Sequence, residues 1–213
     1  MLRLNNDGII SWLLSQLALL LAAAILIASI ASITFYNDWQ KEAEAKRLAL
    51  NLASEIASMD LKTYPNSTLY WIDSKKASIY LSTEYVRVIR YDGNIHKKLF
   101  ATATLLVKPF IYNGSVGWRN GDDLYSSLCQ KFCKNGDSSK MGDAENPFSY
   151  DEKPEVENYI ASELNRISKE LAIRPLRIDP NRPLYIEKAY IYFKKDDGTL
   201  DRIGVLIVSQ VKT

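Results

Sequence analysis

The chain has 213 residues, with 27 Lys and Arg against 25 Asp and Glu and a net charge of +2. That length gives room for one membrane anchor and one compact domain, and too little for a second catalytic domain. The basic residues are interspersed with acids, as in Lys194, Lys195, Asp196 and Asp197. No face concentrates positive charge as nucleic-acid binding requires, and nucleic acid is excluded as a partner.

Residues 1–8 form a short polar leader or N-terminal tail. Residues 9–36 carry no charged side chain. At about 1.5 Å per residue they exceed the roughly 20 residues that cross a bilayer core, so they predict a single transmembrane helix in contact with lipid. A cleaved secretory signal has a shorter apolar core of about 7 to 15 residues, which favours a retained anchor. Within the span, Ala24, Ala28 and Ser32 recur every fourth residue. This is the spacing of a small-residue face that lets helices approach closely, and equally that of an ordinary alanine-rich anchor.

No Gly or Pro occurs between residues 9 and 64, so nothing obliges the helix to stop at the bilayer surface. Residues 37–62 are expected to extend it as a stalk. In that stretch Ala45, Ala49, Leu52, Ile56 and Met59 form one apolar stripe at steps of four and three. Asn37 and Asp38 suit a helix N-cap and mark the one place where a second helix would begin.

The head is expected over residues 63–213. Pro65 ends the helix, and strands are predicted over 68–72, 77–81, 85–91 and 98–107, rich in β-branched and aromatic residues. Asp92 and Gly93 make a hairpin turn between the last two. Residues 113–153 hold five of the nine glycines and form a long excursion, with at most a short helix over 123–133. Val156, Ile160, Leu164, Ile167 and Leu171 define an amphipathic helix over 154–172. Two strands, 184–193 and 203–211, meet across Asp197 and Gly198 as a hairpin. The fold class is therefore α+β: a long N-terminal transmembrane and stalk helix, then an antiparallel sheet with a packed amphipathic helix.

The chemistry-bearing residues are few. The single histidine, His96, stands beside Lys97 and Lys98 after a predicted turn, which reads as exposed surface; no nucleophile and base pair, phosphate loop or metal cluster selects an enzyme, a cofactor or a small-molecule substrate. The acids Asp122, Asp123, Asp137, Asp143, Glu145, Asp151 and Glu152 gather in the excursion without calcium-loop spacing. Cys129 and Cys133 read as a short-loop disulfide in an exported domain and as two thiols in a cytosolic one. Asn66 and Asn113 each open a glycosylation acceptor triplet beside predicted turns. Flanking charge alone keeps the head inside, but long domains translocate largely regardless of it. The cysteines, acceptor triplets and 13 tyrosines favour a head outside the cytoplasm.

A polar leader ending in Gly8, then Ile9 and a long apolar helix feeding a β-rich head, resembles the archaeal type IV pilin-like or pseudopilin family. The resemblance covers residues 1–60, with the strand pattern up to Val107 as looser support. Asp7 stands where the archaeal motif usually has Lys or Arg, and Leu13 where bacterial pilins carry Glu. The resemblance implies cleavage after Gly8 by a membrane peptidase and packing of the helix with like subunits, in a filament or its assembly system. The size and irregularity of the head point to an accessory subunit. An unprocessed, membrane-anchored receptor or adhesin is the alternative.

Overall fold

The computed structural model describes residues 6–72, 77–91, 98–133 and 141–210. The chain divides after Glu44 into two units, 1–44 and 45–213. A single helix, α1 (Asn6–Asp60), runs through that division. Asn37 and Asp38 do not interrupt it, as expected where no Gly or Pro breaks the backbone ladder. Gly8 and Ile9 fall within its first turns, so the helix begins inside the expected leader.

Among the described residues the head unit contains nine strands, β1 (Asn66–Tyr70), β2 (Ala77–Leu81), β3 (Tyr85–Tyr91), β4 (Lys98–Thr104), β5 (Phe110–Ile111), β6 (Phe148–Ser149), β7 (Leu176–Ile178), β8 (Leu184–Lys194) and β9 (Leu200–Gln210), and two further α-helices, α2 (Gly121–Phe132) and α3 (Lys153–Ile173). The expected single antiparallel sheet is instead two sheets. One has the order β1-β8-β9-β5, with β6 joining β8 beyond β1; the other has the order β4-β3-β2-β7. The first sheet is mixed, because β5 runs parallel to β9 and β6 parallel to β8. Those two strands have two residues each, too short for a periodicity to announce them.

The β8–β9 hairpin is the longest pairing, from Leu184 opposite Gln210 to Lys194 opposite Leu200. Its loop turns on Gly198 at φ +81, a conformation that glycine adopts without steric cost. Asp197 Oδ1 accepts hydrogen bonds there from the Thr199 backbone N–H and hydroxyl. The expected Asp92 and Gly93 turn, His96, Asp137 and Val211 lie outside the described residues.

Strand β8 is buried on both faces, and consecutive residues on it serve different helices, since side chains alternate along a strand. Glu187 accepts a hydrogen bond from the Gly121 N–H at the start of α2, at 2.8 Å. Lys188, 7 % exposed, donates to Asp60 at the end of α1. Both contacts agree with the helix dipole, which favours an anion at an N-terminus and a cation at a C-terminus. Tyr190 donates its hydroxyl to the Lys62 carbonyl and so adds a second tie just past α1. Gly204 on the adjacent strand makes room for Lys188: a Cβ there would stand 2.6 Å from Lys188 Cε.

The core joins α1, α2, α3 and both sheets. The whole predicted stripe Ala45, Ala49, Leu52, Ile56 and Met59 is buried. Val156, Ile160, Ile167 and Leu171 of α3 are buried with it, and Leu164 packs against the same cluster. Phe148 and Phe193 pack with ring centroids 6.2 Å apart, and Phe132 meets Phe148 edge-on.

Candidate functional site

The 113–153 excursion builds an open cleft on the described head. It opens with a tight loop after β5. The Tyr112 N–H is held by the Val208 carbonyl at 2.9 Å. Asn113 Oδ1 then accepts from the Ser115 N–H, the Ser115 hydroxyl and the Val116 N–H, an Asx-type turn that suits Asn. Gly117 follows at φ +87, where a Cβ would lie 2.5 Å from the Ile111 carbonyl oxygen. No other residue fits both conditions. The turn drives Trp118 inward, 6 % exposed, onto the Phe110 ring at 4.7 Å. Ser209 then donates to the Arg119 carbonyl and fixes the chain against β9.

Helix α2 starts immediately afterwards. Asn120 is its N-cap, accepting from the Asp123 N–H, while Glu187 receives the Gly121 N–H. Two of the helix's orphan donors are thereby satisfied. A Cβ on residue 121 would stand 2.8 Å from the Glu187 carboxylate, so the close approach needs Gly. At the other end, the Cys133 N–H donates to the Cys129 carbonyl, and Cys129 and Cys133 stand at disulfide distance, with Cα atoms 4.6 Å apart.

Between this loop and α2 lies a groove of about 510 Å³, within the usual range for small-ligand clefts. Tyr112, Trp118 and Arg119 line it from the loop, and Asp123, Ser126, Ser127 and Gln130 from the helix. The helical residues follow the spacing that puts side chains on one face of an α-helix. Arg119 and Asp123 form a two-point pair, with Nε to Oδ2 at 2.6 Å and Nη2 to Oδ1 at 2.9 Å. Hydrogen bonding from Arg119 holds the Asp123 carboxyl below its ordinary range, and the same bond raises the Arg119 guanidinium. The wall therefore carries both charges but no net charge. Behind it the Ser127 and Tyr159 hydroxyls share a hydrogen bond at 2.7 Å, and the Lys131 ammonium sits 4.2 Å from the Tyr159 ring centroid, a cation–π distance.

The residues singled out in the sequence are dispersed relative to this groove. Ala24, Ala28 and Ser32 are exposed in the 1–44 unit, and Ser32 donates to the Ala28 carbonyl within its own helix. Gly8 and Ile9 lie in α1, and leader positions 1–5 fall outside the described residues. Asn66 is the half-buried first residue of β1, opposite Lys188 and just after the bend at Thr63 and Tyr64. Asp123 lines the groove itself, Asn113 borders it through the loop it shapes, and Cys129 and Cys133 close the helix that forms one wall.

Three acids of the excursion serve separate local purposes. Asp123 pairs with Arg119. Asp143 Oδ1 accepts from the Glu145 and Asn146 backbone N–H groups. Glu152 accepts from the Ser149 N–H in a capping box. Among the described residues no group of three or more His, Cys, Asp or Glu is placed to hold a metal ion. The groove residues themselves give a weak sequence signal: Asp123, Ser126, Ser127 and Gln130 read as a solvated helix face, and only the loop geometry turns that face into a wall.

No protein family, curated protein or solved structure matches the chain.

Proposed function

We propose that this protein is a pilin-like membrane subunit, an accessory component of a surface filament or of its assembly system. The N-terminal part of α1 packs in lipid and against like helices, and the head is displayed outside the cytoplasm. The observation that carries this reading is the use of one unbroken helix for two tasks. None of its apolar window is buried within the chain, whereas from Ala45 onward the same helix supplies the core of an α+β head.

Two further features support a retained membrane segment. Trp12 stands near one end of the apolar run, and Phe35, Tyr36 and Trp39 stand at the other, all exposed. Between Trp12 and Tyr36 the helix rises about 36 Å, close to the hydrocarbon core plus part of each interface, where such amphipathic rings settle. Tyr36 and Trp39 also lie together, with centroids 6.3 Å apart. The cysteine pair at disulfide distance suits an oxidising compartment, which favours the extracytoplasmic placement of the head.

The test is the mass of the N-terminal peptide of the mature protein, taken from membranes and from sheared surface material. A mature chain beginning at Ile9 is the expected result. A chain beginning at Met1 or Leu2 sinks the processed-subunit reading and leaves an unprocessed anchored binding module, a reading that the groove on the head independently favours.

A further inference from the structure

We propose that the groove between the 112–118 loop and α2 is a binding site for a neutral saccharide. The charges on its wall argue against ionic ligands. The single guanidinium, Arg119, is engaged at two points by Asp123, so an anionic ligand has to break a two-point ion pair before it is held. A cation meets one carboxylate whose charge Arg119 already balances. An apolar ligand meets a wall made largely of hydroxyls, a carboxamide and an ion pair, whose desolvation nothing apolar would repay.

A sugar matches what remains. Each of its hydroxyls both donates and accepts, and the groove offers both kinds of group. Ser126, Ser127 and Tyr112 supply hydroxyls, the Gln130 carboxamide has separate donor and acceptor atoms, and Asp123 has lone pairs beyond those used by Arg119. The Gln130 carboxamide holds a donor and an acceptor side by side, as adjacent hydroxyls on a sugar ring require. Tyr112, half-buried at the rim, adds aromatic surface against which the C–H face of a ring can lie. The volume of about 510 Å³ gives room for a short oligosaccharide.

The site is also preorganised, which lowers the entropic cost of binding. Gly117 and the Asn113 turn fix the loop, the Asn120 cap and Glu187 fix the start of α2, and Tyr159 orients Ser127 from behind. The inference concerns the head alone and does not depend on processing of the N-terminus.

The full chain, reconstituted in lipid nanodiscs so that no alkyl-glycoside detergent competes, is titrated by saturation-transfer NMR and calorimetry with maltotriose, cellotriose, mannotriose and chitotriose. At least one is expected to bind, with an affinity unchanged by high salt. Gln130→Ala, an exposed position, is expected to weaken that binding by about tenfold, the scale of one or two lost hydrogen bonds. Ser126→Trp, which fills the groove from an exposed helical position, is expected to abolish it, and both variants should retain the parental melting temperature. Absence of binding by all four sugars overturns the proposal. So does binding that survives Ser126→Trp, or binding that high salt removes, the latter marking an anion site instead.

Discussion

Residues 11–36 and 45–60 belong to one helix with one backbone geometry, yet their side chains meet opposite fates. In the first segment leucines and isoleucines are exposed all around the axis. In the second, a stripe of Ala45, Ala49, Leu52, Ile56 and Met59, with Ala53 beside it, is buried, while Lys46, Arg47, Leu50, Asn51 and Ser54 stay exposed. The difference lies in periodicity, because an apolar residue at nearly every position demands an apolar solvent on every side, whereas a stripe at steps of three and four demands one packed face. A continuous helix thus moves from a segment suited to lipid to a segment suited to a protein core with no change of fold.

Substitutions sharpen this contrast. The largest expected effect is at Ile56, fully buried in the head: Ile56→Ala should cost about 2–5 kcal/mol, seen as a clear fall in the head's thermal midpoint by circular dichroism. Leu20→Ala, an equally apolar change in the first segment, should leave that midpoint unmoved. Next is Lys188→Ala, which removes the tie from β8 to the end of α1 and leaves Asp60 without its cation. About 2–3 kcal/mol is expected, below the full cost of breaking a buried pair because Asp60 is partly exposed. Chemical denaturation at neutral pH measures it.

Gly117→Ala should cost about 1–3 kcal/mol, from the positive φ and the contact with the Ile111 carbonyl, and should weaken any ligand of the groove in parallel. The head's response to pH is smaller. Burial raises the Tyr125 phenol to about 12 from 10.0, so its neutral form is favoured in the folded head. That contribution is complete below pH 10.0 and is lost as pH rises toward about 12. Tyr125→Phe should flatten this alkaline decline in melting temperature, at a cost of about 1 kcal/mol for the hydrogen bond to the Tyr190 carbonyl. At the acid end, hydrogen bonds hold Asp123, Asp201 and Asp197 below their ordinary 3.8. Their support is present above that value and fades as pH falls through the lowered values, and Asp123→Asn should remove only a slight part of it.

Much of this was legible in the sequence where a physical period runs long enough. The absence of Gly and Pro from residues 9 to 64 made a continuous α1 the expectation, with a second helix starting at Asn37 and Asp38 as the open alternative; the Ala45 to Met59 stripe announced its packed end, and alternating residues about Asp197 and Gly198 announced the β8–β9 hairpin. The division into two sheets was not legible. It depends on which strands pair across distant sequence, and β5, β6 and β7, with two or three residues each, leave no pattern. The groove was legible only as a long excursion. Its loop wall depends on Gly117 turning Trp118 inward, and its helical wall carries the same Ser, Asp and Gln residues as any solvated face.

The central claim, one helix in two solvents, is tested most directly by single-cysteine scanning along α1 in native membranes with a membrane-impermeant maleimide. Positions 13–34 should stay unlabelled even after the head is denatured, positions 38–44 should label freely, and positions 45, 49, 52 and 56 should label only after denaturation. Free labelling across 13–34 in intact membranes would contradict the account.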